Sequence, residues 1–284
     1  MSYITPRIIK FGKPENHRSS IGHAMYNYIT ALLLAKKYNL TFLHSPFIAD
    51  CERFENVLGL NKFFPNFKTI RMPEYKLLPY CNFGHPNLDE NKYNNSLRRL
   101  SIEINKKTTK TIFFTNNPAE QFPGLLIRES EYLSNILSEA YWSVNGKSKL
   151  YDYSKTNVAI HIRRGDITEK ENTDRWKDNN HYINIINSIK SKIPDARFYI
   201  FSEGEIGDFK EFSKDVNLIL NGSDIEAFNN LASSDILVTG QSTFSTIISY
   251  INTGTIVYTP CLSFTLFDGF SKRFIRYDKI DEQL

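Results

Sequence analysis

The sequence predicts an α/β fold built on parallel sheet, and three observations carry that reading. In the second half of the 284-residue chain, short β-branched runs alternate with helix-patterned stretches at βαβ spacing. That alternation calls for a parallel sheet covered on both faces. The run Asn157 to Ile162 leads directly into two arginines, a glycine and an aspartate, and open α/β sheets hold ligands beyond such strand ends. The stretch Ser143 to Lys155 is polar, with Gly146 and the lysines Lys147, Lys149 and Lys155. A boundary there divides the chain into domains 1–145 and 146–284.

In the first domain, Arg7 to Phe11 reads as a strand and Gly22 to Tyr38 as a helix whose apolar side carries Ala31, Leu32, Leu34 and Ala35. Thr41 to Leu43 returns as a strand. Between Phe47 and Lys110 the pattern breaks into Pro-, Asn- and aromatic-rich pieces. Thr111 to Thr115 is a strand and Arg128 to Tyr141 a helix.

The second domain is more regular. Asn157 to Ile162 is a buried strand. Asn179 to Ile193 places Tyr182, Ile185, Ile186, Ile189 and Ile193 at helical spacing, and Pro194 stops it. Arg197 to Phe201 is a strand, Glu205 to Lys214 a short helix and Val216 to Leu220 a strand, followed by the Asn221-Gly222 turn. Asp224 is placed to cap a helix with Ala227, Phe228, Leu231 and Ala232 on one face. Ile236 to Thr239 is a strand, Gly240-Gln241-Ser242 a tight connection and Thr243 to Asn252 a helix ended by Gly254. Thr255 to Thr259 is the last strand.

Composition excludes several classes. Hydrophobic content of 41% and charged content of 23% suit a globular core rather than disorder. A net charge of +4 is too weak to argue for nucleic acid, and no basic run interleaves with aromatics. It does suit a small anion such as a nucleotide diphosphate. Cys51, Cys81 and Cys261 are sparse and lack a C-x-x-C pair, so they read as free thiols rather than a disulfide framework or zinc site. No signal peptide and no long apolar span is found. The expectation is a cytoplasmic protein, or a piece of a membrane-anchored parent. No G-x-x-x-x-G-K-[ST] loop is present, which argues against a P-loop kinase. No Asp-x-Asp pair is present to chelate a metal on a diphosphate, Asp224-Ile225-Glu226 being the nearest imitation.

Four constellations could carry chemistry. The first is His161-Ile162-Arg163-Arg164-Gly165-Asp166. An arginine presents a planar fork that grips two phosphate oxygens at once. Gly165 allows a sharp turn, and Asp166 can orient an arginine. His161 and Arg163 share one strand face, with Arg164 on the other. The competing reading is an arginine pair in surface salt bridges. The second is Gly240 to Ser245, where Ser242, Thr243 and Ser245 open a helix whose free N–H groups favour an anion. Plain N-capping competes with that and is compatible with it. The third is Asp224, either an N-cap or a carboxylate that reads a purine edge. The fourth is the strand, small-residue loop and helix start around Ser20, Gly22, His23 and Tyr28.

Together these residues resemble the fucosyltransferase superfamily, which includes the α-1,2, α-1,6 and protein-O-fucosyltransferases. Its H-x-R-R-x-D segment is similar to His161, Arg163, Arg164 and Asp166, and its Ser-x-Phe-Ser segment to Ser242-Thr243-Phe244-Ser245. Ser20 to Tyr28 and Phe201-Ser202-Glu203 resemble segments of the α-1,2 branch. His23, Ala24 and Ser20 depart from that branch, where it has Asn, Gln and Gly.

The resemblance implies a GT-B-type glycosyltransferase: two Rossmann-like domains facing a cleft, the first on the acceptor side and the second holding the nucleotide sugar. It implies an inverting, metal-independent enzyme that needs no cofactor. The donor implied is GDP-fucose, with another nucleotide sugar such as UDP-xylose as the alternative, and the acceptor a glycan hydroxyl. A non-catalytic sugar-nucleotide or glycan-binding module is the other class. Arg163 is expected on the donor's β-phosphate, with Arg164 as orienter or second contact. Ser242 to Ser245 are expected on the pyrophosphate, Asp224 on the base, Glu203 near the ribose or base, and Gly22 and His23 on the donor. Glu171 is the expected general base, with Asp174 and His23 as competitors.

Overall fold

The computed structural model describes residues 2–6, 21–47, 49–71, 74–78, 90–105, 111–115, 123–171, 173–260 and 272–284. The expected strand Arg7 to Phe11, the loop ending at Ser20, Cys81 and Cys261 lie outside the described residues. The chain forms two compact units, Met1–Asn145 and Gly146–Leu284.

In the first unit, β1 (Tyr3–Pro6) leads to α1 (Ile21–Tyr38) and β2 (Thr41–Phe42). A 3-10 turn (Ala49–Phe54), α2 (Leu60–Phe63), β3 (Glu74–Leu77), α3 (Glu90–Asn105) and β4 (Thr111–Thr115) follow, then α4 (Pro123–Arg128) and α5 (Ser130–Trp142). Among the described residues the strands order β2-β1-β4-β3, every pair parallel. The sequence-expected strand at Arg7 is thus preceded by the one observed at Tyr3–Pro6. α1 is buried from Ile21 to Ala35 apart from exposed His23, not along one stripe. Small and apolar residues on every side of a helix produce that outcome. The stretch from Phe47 to Lys110 carries β3 and α3, which its Asn- and Lys-rich composition conceals. The helix expected over Arg128 to Tyr141 is broken at Glu129, whose non-helical backbone (φ −104°, ψ 15°) starts α5 at Ser130.

A buried polar chain fastens this unit. The Tyr28 hydroxyl meets His44 Nδ1, His44 Nε2 meets Glu55 Oε1 at 2.5 Å, and Glu55 Oε2 accepts from the Phe47 N–H at 2.9 Å. Each member is satisfied by the next, which is what burial of polar groups demands.

The second unit contains β5 (Asn157–His161), α6 (Asn179–Lys192), β6 (Arg197–Ser202), β7 (Val216–Leu220), α7 (Asp224–Ser233), β8 (Ile236–Val238), α8 (Thr243–Ile251), β9 (Thr255–Tyr258), β10 (Phe274–Arg276) and α9 (Ile280–Gln283). The sheet order is β10-β9-β8-β5-β6-β7, and all neighbours pair in parallel. Its core is aliphatic on the strands (Val158, Ile160, Ile200, Val238) and on α6 (Ile185, Ile189), as fully covered parallel strands require. Three expectations change here. The last strand is β10, which extends the sheet beyond β9. The helix expected over Glu205 to Lys214 is only a 3-10 turn, Ile206–Phe209, opened by a capping box in which the Glu205 and Asp208 side chains accept from each other's backbone N–H. Ser223, not Asp224, is the N-cap of α7, and Asp224 is its first helical residue.

The corner between α8 and β9 is held by polar groups. Asn252 caps α8, and its amide donates to the carbonyls of Leu231 (3.0 Å), Ala232 (3.2 Å) and Ser234 (2.9 Å). Gly254 packs so tightly that a Cβ would stand 2.2 Å from the Asp235 carbonyl oxygen. Arg273 donates to the carbonyls of Ser249 (2.9 Å) and Asn252 (2.8 Å) at the end of α8.

Candidate functional site

Because the second sheet is parallel throughout, its strands end at one edge. The segments after β5, β6, β7 and β8 all emerge there, and three of the four constellations, together with Phe201-Ser202-Glu203, lie on or beside them.

His161 ends β5 and is 8% exposed. Its Nδ1 is buried without a hydrogen-bond partner, and its ring lies 5.5 Å from that of Phe244. Burial, and then the Arg163 charge, push its imidazole down from 6.5 to about 3. It is therefore neutral at physiological pH. Gly240 presses against it: a Cβ there would stand 2.5 Å from the His161 carbonyl oxygen and 2.9 Å from Nδ1.

The two arginines part company after the strand. Arg163 keeps a third of its side chain exposed and pairs with Asp166 at 2.6 Å and Glu203 at 3.5 Å. Gly165 turns at φ +75°, a left-handed conformation natural to glycine, and a Cβ there would meet Glu203 Oε2 at 2.5 Å. Arg164 turns inward and is 9% exposed. Its guanidinium lies 3.9 Å above the Trp176 ring, donates to Asn179 Oδ1 at 3.0 Å and to the Arg163 carbonyl at 3.2 Å. Burial lowers its pKa below the usual guanidinium range.

On the next corner, Ser242 is the N-cap of α8 and its hydroxyl accepts from the Phe244 N–H at 3.3 Å. Ser242 and Thr243 are buried, and Phe244 is half-buried. The Ser245 hydroxyl points inward and donates to the carbonyls of Gly240 (3.0 Å) and Ser242 (3.2 Å). Within this segment the Phe244 N–H is taken by the Ser242 cap, and Ser245 serves the turn itself.

The rims after β6 and β7 are tied together. Gly204 N–H donates to Asn221 Oδ1 at 3.0 Å, and Asn221 Nδ2 donates back to the Gly204 carbonyl at 2.8 Å. Both residues have positive φ, +123° and +55°. Glu203 precedes this lock and half-buried Asp224 follows it. Glu171 is exposed in a turn closed by Thr168, whose Oγ1 accepts from the Glu171 N–H at 2.9 Å. Asp174 is exposed as well. Gly22 (buried) and His23 (exposed) stand in the first turn of α1, in the other unit.

Sequence reasoning named Asp174 as a competing base but missed its neighbours Arg175 and Trp176. Arg175 Nε donates to the Gln241 carbonyl at 3.1 Å. The Gln241 amide, oriented to satisfy both its groups, donates to the carbonyls of Asp174 (2.9 Å) and Arg175 (3.2 Å). Trp176, one of two tryptophans in the chain, carries Arg164. A rare tryptophan in the polar loop following an arginine pair is the signal that could have found it.

No family model matches the sequence, and no curated protein matches it. The fold does have solved counterparts. The crystal structure of POFUT1, a protein O-fucosyltransferase, in its apo form superposes with a TM-score of 0.53 at 13% identity, over 90% of this chain and 97% of that one. POFUT1 in complex with GDP-fucose gives 0.52 at 14% identity, over 90% and 98%. The chain thus has a GT-B-type glycosyltransferase fold, mixed α/β with parallel sheets. Among the described residues, no helix is long and apolar enough to cross a membrane.

Proposed function

We propose that the protein is an inverting, metal-independent glycosyltransferase that moves L-fucose from GDP-fucose to a glycan hydroxyl. One observation carries the proposal: Arg163 stands part-exposed at the carboxyl edge of a parallel sheet, oriented by Asp166. The Ser242-capped start of α8, on the neighbouring strand's corner, supports it, as does a GT-B-type fold shared with a protein solved with GDP-fucose.

In this reading Arg163 binds the β-phosphate, where negative charge builds as the glycosidic bond breaks. The N–H groups opening α8 hold the pyrophosphate. His161, neutral and buried, walls the site without adding charge. The acceptor oxygen attacks the anomeric carbon from the face opposite the leaving group. Its proton passes to the Glu171 carboxylate, and the nucleoside diphosphate leaves with the bonding electron pair. A phosphate arriving at Arg163 replaces the 3.5 Å contact with Glu203, freeing that carboxylate for the ribose. Asp224 reads the base.

A thermal-shift panel of GDP, UDP, CDP and their sugar conjugates tests the donor, since a bound ligand raises apparent stability with its affinity. GDP and GDP-fucose are expected to give the largest shifts. Arg163→Ala is expected to lower transfer on the order of 10²-fold, and Glu171→Gln to lower turnover with donor binding kept. Equal binding and equal transfer by Arg163→Ala and parent would refute the phosphate grip.

A further inference from the structure

We infer that Trp176 is a positioning residue for the Arg163 phosphate grip, acting through Arg164; this rests on the phosphate-binding reading above. Arg163 meets the edge of the sheet, and among the described residues its side chain is held by the exposed carboxylates of Asp166 and Glu203. Its backbone is held differently. The Arg163 carbonyl accepts from Arg164 Nη1 at 3.2 Å, and that guanidinium is buried. A buried guanidinium must have its donors and its charge accommodated. Asn179 Oδ1 takes one donor at 3.0 Å, and the Trp176 ring faces the cation at 3.9 Å. Asn179 is fixed in turn, its Nδ2 donating to the Asp208 carbonyl at 2.7 Å and Glu211 Oε2 at 2.9 Å.

Trp176 is also tied to the other half of the site. Its neighbour Arg175 donates to the Gln241 carbonyl, and Gln241 donates to the carbonyls of Asp174 and Arg175. Gln241 immediately precedes Ser242, the cap of α8. Segment 174–176 thus spans from the arginine corner to the helix start that faces the same ligand. Planarity is the property that matters: a guanidinium stacks flat on an indole, whereas an ammonium does not. The second arginine and the tryptophan together fix where the first arginine stands, without touching the ligand.

A double-mutant cycle reads this directly. Binding of GDP, and of inorganic pyrophosphate as a base-free probe, is measured for the parent, Arg163→Ala, Trp176→Leu and the double variant, with melting followed alongside. Trp176→Leu is expected to weaken both probes by roughly tenfold in the parent and by less than about twofold in the Arg163→Ala background. Trp176→Phe, which keeps a ring face, is expected to recover most of the loss. Equal losses in both backgrounds, or no loss in the parent, overturn the positioning role. Unchanged binding by Arg163→Ala overturns the phosphate grip itself, whereas weakened Arg163→Ala beside unaffected Trp176→Leu removes the positioning role alone. Should Trp176→Leu lose its cooperative melt, Arg164→Lys takes its place in the cycle with the same outcomes.

Discussion

Replacing Gly240 with alanine adds one methyl group at the point where two strand ends meet. The backbone there is ordinary, so conformational freedom is not at issue; space is. The new Cβ would stand 2.5 Å from the His161 carbonyl oxygen, 2.9 Å from Nδ1 and 3.3 Å from the carbonyl carbon. Comfortable carbon contacts begin near about 3.5 Å, so something must retreat by close to an ångström. None of the obstructing atoms is the free end of a flexible chain: two are backbone, and the third belongs to a buried ring. The retreat moves the end of β5, two residues before Arg163. Overpacking of this kind costs about 1–3 kcal/mol, and the rigid backbone argues for the upper half. That corresponds to a fall in melting temperature of roughly 4–10 °C. Misplacement of a reacting group by ~1 Å can lower turnover ~10²-fold, so GDP binding and transfer are expected to fall further than stability alone explains. Gly207→Ala is the control, because a Cβ there meets nothing within 4 Å. The assay is a thermal melt with and without GDP. If Gly240→Ala melts within a degree of Gly207→Ala and keeps its GDP shift, the close approach is not what sets the site.

Two further outcomes follow from the same unit. His161 has a folded value depressed from 6.5 to about 3, so between those pH values the unfolded chain binds a proton that the folded chain refuses. Its contribution is complete above pH 6.5 and is lost as pH falls, roughly 3 kcal/mol by pH 4; His161→Asn should flatten the acid side of the stability profile, and parallel profiles would contradict this. Asn252→Ala removes one amide from three buried carbonyls and from the Gly254 N–H, which it serves at 2.7 Å; urea unfolding should show a loss of about 2–4 kcal/mol, and a loss below ~1 would mean that water or rearrangement satisfies those groups.

What could be read from sequence followed the strength of local pattern. β5, β6, β7, α6 and α8 announce themselves because β-branched runs and 3.6-residue spacing are undiluted there. β10 was missed because Phe274–Arg276 is three residues long, too short to show a period. α3 was missed because the polar residues of its sequence, Asn, Arg and Ser above all, outweigh apolar ones such as Leu100 and Ile104. At the site, strand alternation puts Arg163 and Arg164 on opposite faces, but both stand beyond β5, which ends at His161; there Arg163 is part-exposed and Arg164 is buried. What Arg164 then meets was not legible, because Trp176 and Asn179 reach it through a loop, where no periodicity links residues close in space. Ser245 illustrates the reverse limit: a hydroxyl in a promising segment is spent on its own turn.

The reciprocal bonds between Gly204 and Asn221 constrain how this protein can diverge. Each backbone group of Gly204 needs the amide of Asn221 at one spacing, so neither loop can gain or lose a residue alone without stranding the other. Glu203 and Asp224 flank that clasp. A lineage that altered one rim would have to rebuild the other in step, and the arginine corner, which meets the β6 rim where Arg163 pairs with Glu203, would have to adjust with them.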